Sequence, residues 1–249
     1  ILPLAFLFET KKFRSEFQLD IKTFAILSTL IGISLFLGSA LQQVALLHTD
    51  VANAAFFTIF YVPMVPIIVF LFKKKSIHWS VWPSVVLCLI GGYLLTNFYD
   101  ATVRLGDGLV LLGALFWSTH IIFTGMIVTR YNLPLTIGAL QTLIVAILSF
   151  IVCSIYEEFI LINILNEIDS ILYAGVLSGG FAFVLQIYAQ RNIAPAPAAI
   201  IFSLEGVFAT VAAWFLLNQI LDISNIFGCI FILCGVLLSQ LLPLIRKTV

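Results

Sequence analysis

Residues 137–155 read IGALQTLIVAILSFIVCSI, a run in which no side chain carries a charge. An apolar stretch of about 20 residues is long enough, as an α-helix, to cross a hydrocarbon core ~30 Å thick. The run is apolar on every face, whereas the strands of a membrane barrel alternate apolar and polar side chains. The stretch therefore predicts a membrane-spanning helix, and similar stretches recur along the chain.

The composition is typical of a chain that lies mostly in lipid. Of the 249 residues, 62% are hydrophobic and 10% are charged, and the mean hydropathy is +1.16, whereas only about half of the residues in soluble domains are apolar. We predict an all-α integral membrane protein with eight complete spans, at residues 22–47, 51–72, 77–97, 107–130, 134–156, 171–190, 194–217 and 222–244. The links are short apart from the one around 157–170, so residues 1–249 are predicted to form a single transmembrane domain.

The first residues and the cysteines need separate interpretation. The chain begins inside an apolar segment that ends at Glu9 and lacks a basic region or a cleavage site, so we interpret residues 1–8 as the end of a truncated span rather than a signal peptide. The four cysteines lie in apolar runs without paired metal-ligand spacing. We predict that Cys88, Cys153, Cys229 and Cys234 are buried, reduced packing residues and that the chain has no metal site.

Charged side chains predict the orientation of the spans, because cytoplasmic loops accumulate Lys and Arg. Alternate loops contain eleven of the twelve basic residues, namely Lys11, Lys12, Arg14, Lys22, Lys73, Lys74, Lys75, Arg130, Arg191, Arg246 and Lys247. The intervening loops contain one basic residue, Arg104, and the acidic residues Asp50, Asp100, Asp107, Glu157, Glu158, Glu167, Asp169 and Asp222. We therefore predict that the basic loops and the carboxyl terminus face the cytoplasm.

The chain also matches itself, without a gap, at the offset of 144 residues that separates position 42 from position 186. Gln42, Ala45, Ala52, Ala54, Ala55, Leu89, Gly91 and Leu94 fall on Gln186, Ala189, Ala196, Ala198, Ala199, Leu233, Gly235 and Leu238. The span after Asp50 is predicted to run inward, whereas its counterpart after Arg191 is predicted to run outward. This pattern predicts an inverted repeat, a common plan of secondary transporters, in which the span with Pro63 faces the span with Gly206.

Polar side chains at membrane depth are the first candidate binding residues. Glu205 is predicted near the middle of the span 194–217, where a charged side chain costs about 2.5–3.5 kcal/mol on insertion scales. It either lines a polar cavity and binds a cationic group or a proton, or it is a protonated Glu that hydrogen-bonds a neighbouring helix. His120 is predicted mid-span and either titrates near neutral pH or is a packed, hydrogen-bonded side chain.

Amide and aromatic side chains extend the candidate set. The amides either contact a substrate or join neighbouring helices, and the aromatic rings either stack on a substrate or pack in the core. These candidates are Gln42, Asn53, Gln141, Gln186, Tyr61, Trp117 and Tyr188.

Catalytic motifs are missing from the sequence. It contains no Walker-type phosphate loop, no His-Glu-x-x-His and no Gly-x-Ser-x-Gly, and every Asp lies in or beside a loop. We therefore expect no enzymatic activity, no catalytic residue, no cofactor and no nucleic-acid partner. The expected partners are a small-molecule solute and the lipid bilayer, with a proton as the candidate coupling ion.

Four segments resemble the EamA-like family of the drug/metabolite transporter superfamily. They are NAAFFTIFYVPMVP at 53–66, GDGLVLLGALFW at 106–117, LQIYAQR at 185–191 and SLEGVF at 203–208. The resemblance implies ten helices in two inverted five-helix repeats around a central cavity that is used in alternating access. The chain would then lack the first helix and most of the second, with residues 1–97 as the remainder of the N-terminal repeat and 107–244 as the C-terminal repeat.

The sequence departs from that family pattern at two places. Gly206 stands where a Pro usually follows the Glu, and Asn218-Gln219 stands where a Gly-Glu pair usually closes the ninth helix. We interpret the chain as a secondary transporter of small metabolites or drug-like solutes, with export as the favoured direction, in a bacterial inner membrane. The alternatives are a passive channel or facilitator and a membrane scaffold or sensor that transports nothing.

Overall fold

The computed structural model describes residues 1–73, 77–98, 102–158 and 160–245, without the side chains of residues 11, 13–19 and 73. Every regular element in these ranges is a helix. The α-helices are α1 (Leu2–Ala45), α2 (Val51–Thr58), α3 (Tyr61–Lys73), α4 (Val81–Leu95), α5 (Leu105–Tyr131), α6 (Pro134–Tyr156), α7 (Leu161–Asn166), α8 (Ile168–Leu172), α9 (Phe183–Ala189), α10 (Pro195–Phe202), α11 (Leu204–Leu217) and α12 (Ile223–Ile245), and a π-helix, π1 (Tyr173–Ala182), joins α8 to α9. Several residues used to predict the orientation lie outside the described residues or lack a described side chain: Lys11, Arg14, Lys73, Lys74, Lys75, Asp100, Arg246 and Lys247.

Seven segments of the described chain are long and apolar enough to cross a membrane. They are Asp20–Ala45, Val51–Phe72, Leu105–Tyr131, Pro134–Tyr156, Ile168–Ala189, Pro195–Leu217 and Ile223–Ile245. Each overlaps one of the eight complete spans predicted from the sequence. The chain is therefore a multi-pass membrane protein.

One of the eight predicted spans, 77–97, has no counterpart among these seven segments. It contains only the shorter helix α4. Its 15 residues rise about 22 Å, which is less than the ~30 Å of a hydrocarbon core. The helix begins only at Val81, after a turn in which the Ser80 backbone N–H donates to His78 Nδ1 at 3.3 Å, a local side-chain bond of the kind that competes with helix formation. At the other end, Asn97 adopts a left-handed backbone with φ of 51°. The apolar run is thus longer than the helix that forms within it.

Helix α1 is broken at Asp20, whose backbone is extended (φ −165°, ψ 68°). Asp20 Oδ1 accepts a hydrogen bond from the Thr23 backbone N–H at 3.1 Å, so its side chain caps the second half of the helix. Arg130 donates to Asp20 Oδ2 at 2.8 Å, and the Tyr131 hydroxyl donates to the Asp20 carbonyl at 3.2 Å. We expected the first apolar segment to end at Glu9. The helix instead continues past Glu9 to the break and resumes after it.

The chain forms two compact units, and each contains parts of both predicted repeats. Unit 1 comprises Ile1–Phe36 and Phe123–Ile193, and unit 2 comprises Leu37–Ile122 and the described residues from Ala194 onward. The division into a repeat at 1–97 and a repeat at 107–244 within one domain remains a prediction.

Unit 1 is built around an apolar core between the second half of α1, the end of α5, the start of α6 and α9. This core consists of Phe24, Leu27, Ile31, Ile127, Val128, Tyr131, Leu133, Ile137 and Ile187. The Phe24 and Tyr131 rings meet edge to face, with centroids 5.0 Å apart. In lipid, where the hydrophobic effect does not drive helices together, close van der Waals packing of these side chains holds the helices of the unit in contact.

Unit 2 contains the close packing of α4 against α12. A Cβ added at Gly91 would lie 2.6 Å from Ile232 Cγ1 and 2.7 Å from the Gly228 carbonyl oxygen, and one added at Gly235 would lie 2.9 Å from the Ser84 carbonyl oxygen. The residue numbers rise along α4 as they fall along α12 in these contacts. The two helices are therefore antiparallel, and their glycines allow the backbones to touch.

Two helical segments of unit 2 are interrupted at equivalent positions. The segment Val51–Phe72 breaks between α2, which ends at Thr58, and α3, which begins at Tyr61, while the segment Pro195–Leu217 breaks at Ser203. Adding 144 to the bounds of α2 gives 195 and 202, which are the bounds of α10. The two segments that match in the sequence at this offset are therefore interrupted at matching places.

Candidate functional site

Unit 2 contains a partly open cavity of about 400 Å³ next to both helix breaks. Its walls come from the end of α1, from α2 and the start of α3, from the end of α4, from α11 and from the start of α12 with the residues before it. The polar side chains on these walls are Gln42, Thr58, Tyr61, Thr96, Ser203, Glu205, Thr210, Gln219 and Asn225. Ligand pockets in proteins commonly have volumes of about 300–1,000 Å³, so this cavity is large enough for a small solute.

Glu205 is the only charged side chain on the described walls of this cavity. It lies in the first turn of α11, directly after the break at Ser203, and its side chain is accessible. The first turn of a helix carries a partial positive charge, which favours a carboxylate there. No Lys, Arg or His lines the described part of the cavity, so the wall presents a carboxylate among neutral polar groups.

Two other predicted binding residues, Gln42 and Tyr61, line the same cavity as Glu205. Tyr61 begins α3 at the first break and is 6% exposed. Its carbonyl oxygen accepts from the Ser118 hydroxyl of α5 at 3.4 Å. The structure therefore brings together three of the nine candidates, one from each of α1, α3 and α11.

His120 and Trp117 lie in unit 2 on α5, away from the cavity walls. His120 is fully buried, and its ring meets the Trp117 ring edge to face with centroids 6.1 Å apart. The Trp117 ring also lies against the backbone of α1, where a Cβ added at Gly38 would be 3.2 Å from it. Neither residue lines the cavity, and a role of either residue in binding stays a prediction.

The remaining candidates on α6 and α9 belong to unit 1. Gln141 is fully buried on α6, and Gln186 lies half-buried on α9. Tyr188 is exposed, and the guanidinium carbon of Arg191 lies 4.5 Å from its ring centroid.

Asn53 occupies a buried hydrogen-bond network at the starts of α2 and α5. Its amide nitrogen donates to the Thr102 carbonyl at 2.9 Å and to both carboxylate oxygens of Asp107. Asp107 also accepts from the Thr49 hydroxyl and from the Arg104 backbone N–H. These partners give Asn53 a connecting role between two helices.

Several cavity residues were missed in the sequence analysis. The α11 wall consists of Glu205, Gly206, Ala209, Thr210 and Ala213, which are spaced as one face of a helix. The small side chains leave open space beside the carboxylate. This periodic stripe is visible in the sequence, whereas the contributions of Thr58, Thr96 and Asn225 depend on contacts between distant segments.

Apolar spans and a carboxylate-bearing cavity between broken helices define the chain as a helical membrane protein of transporter type. The EamA-like transporter family model matches residues 104–241. The chain belongs to the EamA-like transporter family.

Two relatives from Archaeoglobus fulgidus are both named uncharacterized transporters. One is 32% identical over 85% of this chain and 67% of its own length, and the other is 24% identical over 63% of this chain and 53% of its own length. A protein crystal structure matches with a TM-score of 0.73 and 14% identity, over 90% of this chain and 78% of that one. The relatives support transport as the general function, and the solved structure supports the fold.

Proposed function

We propose that this protein is a secondary transporter that moves a small metabolite or drug-like solute across the membrane by alternating access, with export as its direction. The observation that carries the proposal is the accessible Glu205 carboxylate in a cavity bounded by two broken helices. Broken helices at matching places in two halves expose backbone groups to a ligand, which is typical of secondary transporters.

The lining of the cavity favours a solute with a cationic group. Glu205 supplies the negative charge, Gln42 and Asn225 supply amides, and Tyr61 supplies an aromatic ring that attracts cations. The same carboxylate is the candidate carrier of a coupling proton, because a solute cation and a proton compete for it. Exchange of one for the other would couple the two movements.

An inverted repeat is part of this proposal, and two observations support it. The bounds of α2 and α10 differ by 144, as do the last residues of α3 and α11. The antiparallel contacts between α4 and α12 also agree with this offset. Position 84 corresponds to position 228 and position 91 to position 235, so the offset converts the contact Gly91–Gly228 into the contact Ser84–Gly235. Both pairs approach closely. Such an exchange is what a two-fold axis in the membrane plane would produce.

The orientation proposed is the one predicted from the loops, with the carboxyl terminus in the cytoplasm of a bacterial cell. It is supported by the separation of basic and acidic residues between alternate loops. The acidic end of unit 2, with Asp50 and Asp107, would then face outward.

Counterflow in proteoliposomes tests the proposal. The full-length protein is first screened for thermal stabilisation by a panel of primary amines, amino acids and nucleosides, and the best stabiliser is used in labelled form. A carrier should accumulate label transiently when unlabelled solute is trapped inside, because exchange is faster than net movement. Uptake without this acceleration would contradict alternating access in favour of a channel, and no binding or uptake across the panel would favour a scaffold.

A further inference from the structure

Four hydroxyl side chains on the walls of the cavity in unit 2 share one arrangement. They belong to Thr58, Thr96, Ser203 and Thr210. Each hydroxyl donates to a backbone carbonyl three or four residues earlier, and the distances to the oxygens of Ala54, Gly92, Ile200 and Gly206 are 2.7, 2.8, 2.6 and 2.8 Å in that order. A hydroxyl has one proton to donate and two lone pairs that accept. While these bonds persist, the four oxygens can offer a solute acceptors only.

Ser203 already acts as an acceptor within the protein. The Sγ atom of Cys88 lies 3.4 Å from the Ser203 hydroxyl oxygen. Because the Ser203 proton is directed to the Ile200 carbonyl, the thiol is the donor in this contact. Hydrogen bonds in a chain polarise one another, so a hydroxyl that donates is also a better acceptor. Thr58 and Thr210 donate in the same way, so a donor on a solute can bind to them as Cys88 binds to Ser203.

Glu205 places a carboxylate on the same cavity wall. An ionised carboxylate only accepts hydrogen bonds. Thr58 ends α2 at the first helix break, and Thr210 lies on α11 beyond Glu205. Apart from its chain neighbours and its own helix, only Leu95 Cδ2 lies within 4 Å of a Cβ added at Gly206, at 3.8 Å. The wall between Glu205 and Thr210 therefore has room for a solute.

The amides on the described walls do not reverse this excess of acceptors. The Asn225 amide nitrogen donates to the Leu95 carbonyl at 2.9 Å, and its oxygen accepts from the Asp222 backbone N–H at 2.9 Å, which leaves one N–H for a solute. Gln42 and Gln219 each add an acceptor together with their donors. The described walls thus favour a solute that brings several donors.

We propose that the solute binds through a primary ammonium or guanidinium group, whose N–H groups donate to the Glu205 carboxylate and to the hydroxyl oxygens of Thr58 and Thr210. The inference rests on the proposed function, because it names the class of solute that the same cavity selects. A primary ammonium has three N–H donors and a guanidinium has five, whereas a quaternary ammonium has the charge but no N–H. A carboxylate on the same solute would need donors and would meet Glu205 instead, so amines and guanidines are favoured over amino acids.

Binding of methylated amines to the purified full-length protein tests the proposal. Phenethylamine and butylamine are compared with their mono-, di- and trimethylated derivatives, which keep the charge while the N–H groups fall from three to none. Isothermal titration calorimetry in detergent, at one pH near neutrality, gives the affinities. They should fall by about tenfold or more along each series, because hydrogen bonds with a charged partner are lost. Phenylalanine, which is phenethylamine with a carboxylate, should also bind about tenfold or more weakly than phenethylamine.

A pair of threonine variants tests the role of the hydroxyls. Thr58→Val/Thr210→Val keeps the shape of both side chains and removes both acceptor oxygens. It should lose about tenfold or more in affinity for phenethylamine and bind the trimethylated derivative as before, which also shows that it is folded. Thr58→Ser/Thr210→Ser keeps the oxygens and should keep the preference for the primary amine.

Thr129→Val/Thr142→Val is the matched control. These two hydroxyls of unit 1 also donate to carbonyls four residues earlier, at 2.6 and 2.8 Å, but they lie outside the cavity. The control should bind both ligands as the unmodified protein does.

Three results would overturn the proposal. Equal or tighter binding of the trimethylated compounds would show that charge and aromatic contact select the solute, and the proposed function would still stand if Glu205→Gln weakened binding of the whole series. An equal loss for both ligands in Thr58→Val/Thr210→Val would assign a structural role to the hydroxyls. No binding of any amine, alongside counterflow of another solute, would refute the solute class and leave the carrier in place. The expected preference without counterflow of the amine would instead refute transport and leave the ligand class standing.

Discussion

The amide nitrogen of Asn53 lies 3.3 Å from Asp107 Oδ1 and 3.1 Å from Asp107 Oδ2. Asp107 is 2% exposed and also accepts from the Thr49 hydroxyl and, at 2.7 Å, from the Arg104 backbone N–H. One buried carboxylate thus satisfies donors from the loop before α2, from α2 itself and from the residue before α5. The network joins the starts of two membrane helices at one end of unit 2.

Asp107→Ala should lower the stability of the folded protein substantially. It removes the acceptor for three donors, and a buried donor without a partner costs about 1–3 kcal/mol. We expect a loss of roughly 2 kcal/mol or more, measured as a lower Tm or a lower denaturant midpoint in detergent.

Asp50→Ala is the matched control for that variant. Asp50 pairs with the Arg104 side chain at 2.7 Å, but both side chains are about half-exposed, and exposed ion pairs contribute only about 0–1 kcal/mol. If Asp50→Ala were as destabilising as Asp107→Ala, the buried network would not be the source of the stability.

Gly91→Ala should destabilise the contact between α4 and α12. The added Cβ would lie 2.6 Å from Ile232 Cγ1 and 2.7 Å from the Gly228 carbonyl oxygen, and the backbone atoms cannot move without separating the helices. Overpacking of this kind typically costs about 1–3 kcal/mol. Thermal unfolding of the purified variant measures the effect.

Gly108→Ala tests the same change where there is space for the methyl group. Apart from its chain neighbours and the backbone of its own helix, no atom lies within 4 Å of a Cβ added at Gly108, and Ala is favoured over Gly inside a helix by about 1 kcal/mol. Its stability should therefore stay the same or rise. A similar loss in both variants would show that helix conformation, and not the contact with α12, is sensitive to the substitution.

Most of the helices could be predicted from the sequence because lipid solvation leaves a long apolar run for each span. The predictions 134–156 and 194–217 correspond to Pro134–Tyr156 and Pro195–Leu217. Apolar length alone does not show where a helix is interrupted. At the break, Asp20 accepts hydrogen bonds from Arg130 and Tyr131, more than 100 residues away, and α4 begins after a turn with local bonds between His78 and Ser80.

The candidate site was predicted in part, because a sequence shows which residues are polar but not which of them meet. Glu205 was recognisable as a charge within a span, and Gln42 and Tyr61 line its cavity. The hydrogen bond between Asn53 and Asp107 could not be predicted, because the two residues are 54 apart in the chain. The same applies to Asn225, which lines the cavity while its amide donates to the Leu95 carbonyl at 2.9 Å.

The orientation can be tested with single cysteines at Arg130 and Glu157, which flank α6 and which we predict on opposite sides of the membrane. The four native cysteines, Cys88, Cys153, Cys229 and Cys234, are free and would first be replaced. The prediction that all four are buried is wrong for Cys234, which is exposed, because an apolar run in a membrane helix has a lipid-facing side as well as a packed one. A membrane-impermeant thiol reagent applied to intact cells should label position 157 and spare position 130. Labelling of position 130 with protection of position 157 would show that the topology is inverted.

Glu205→Gln should abolish transport, or remove its dependence on pH, while the protein still folds. Gln preserves the shape of the side chain and most of its hydrogen bonding but removes the negative charge and the titrating group at the start of α11. Initial rates of solute movement in proteoliposomes, measured across a pH series, report both effects. Size-exclusion profile and Tm establish that the variant is folded.

Gln219→Glu is the complementary variant, because Gln219 lines the same cavity and is exposed at the end of α11. Combined with Glu205→Gln, it returns one carboxylate to the cavity wall at a different place. If transport requires the charge to lie in the first turn of α11, the double variant Glu205→Gln/Gln219→Glu should be as inactive as Glu205→Gln alone. Unchanged transport and unchanged pH dependence in a well-folded Glu205→Gln protein would make Glu205 a structural residue, and the proposed site would then lose the only charge on its described walls.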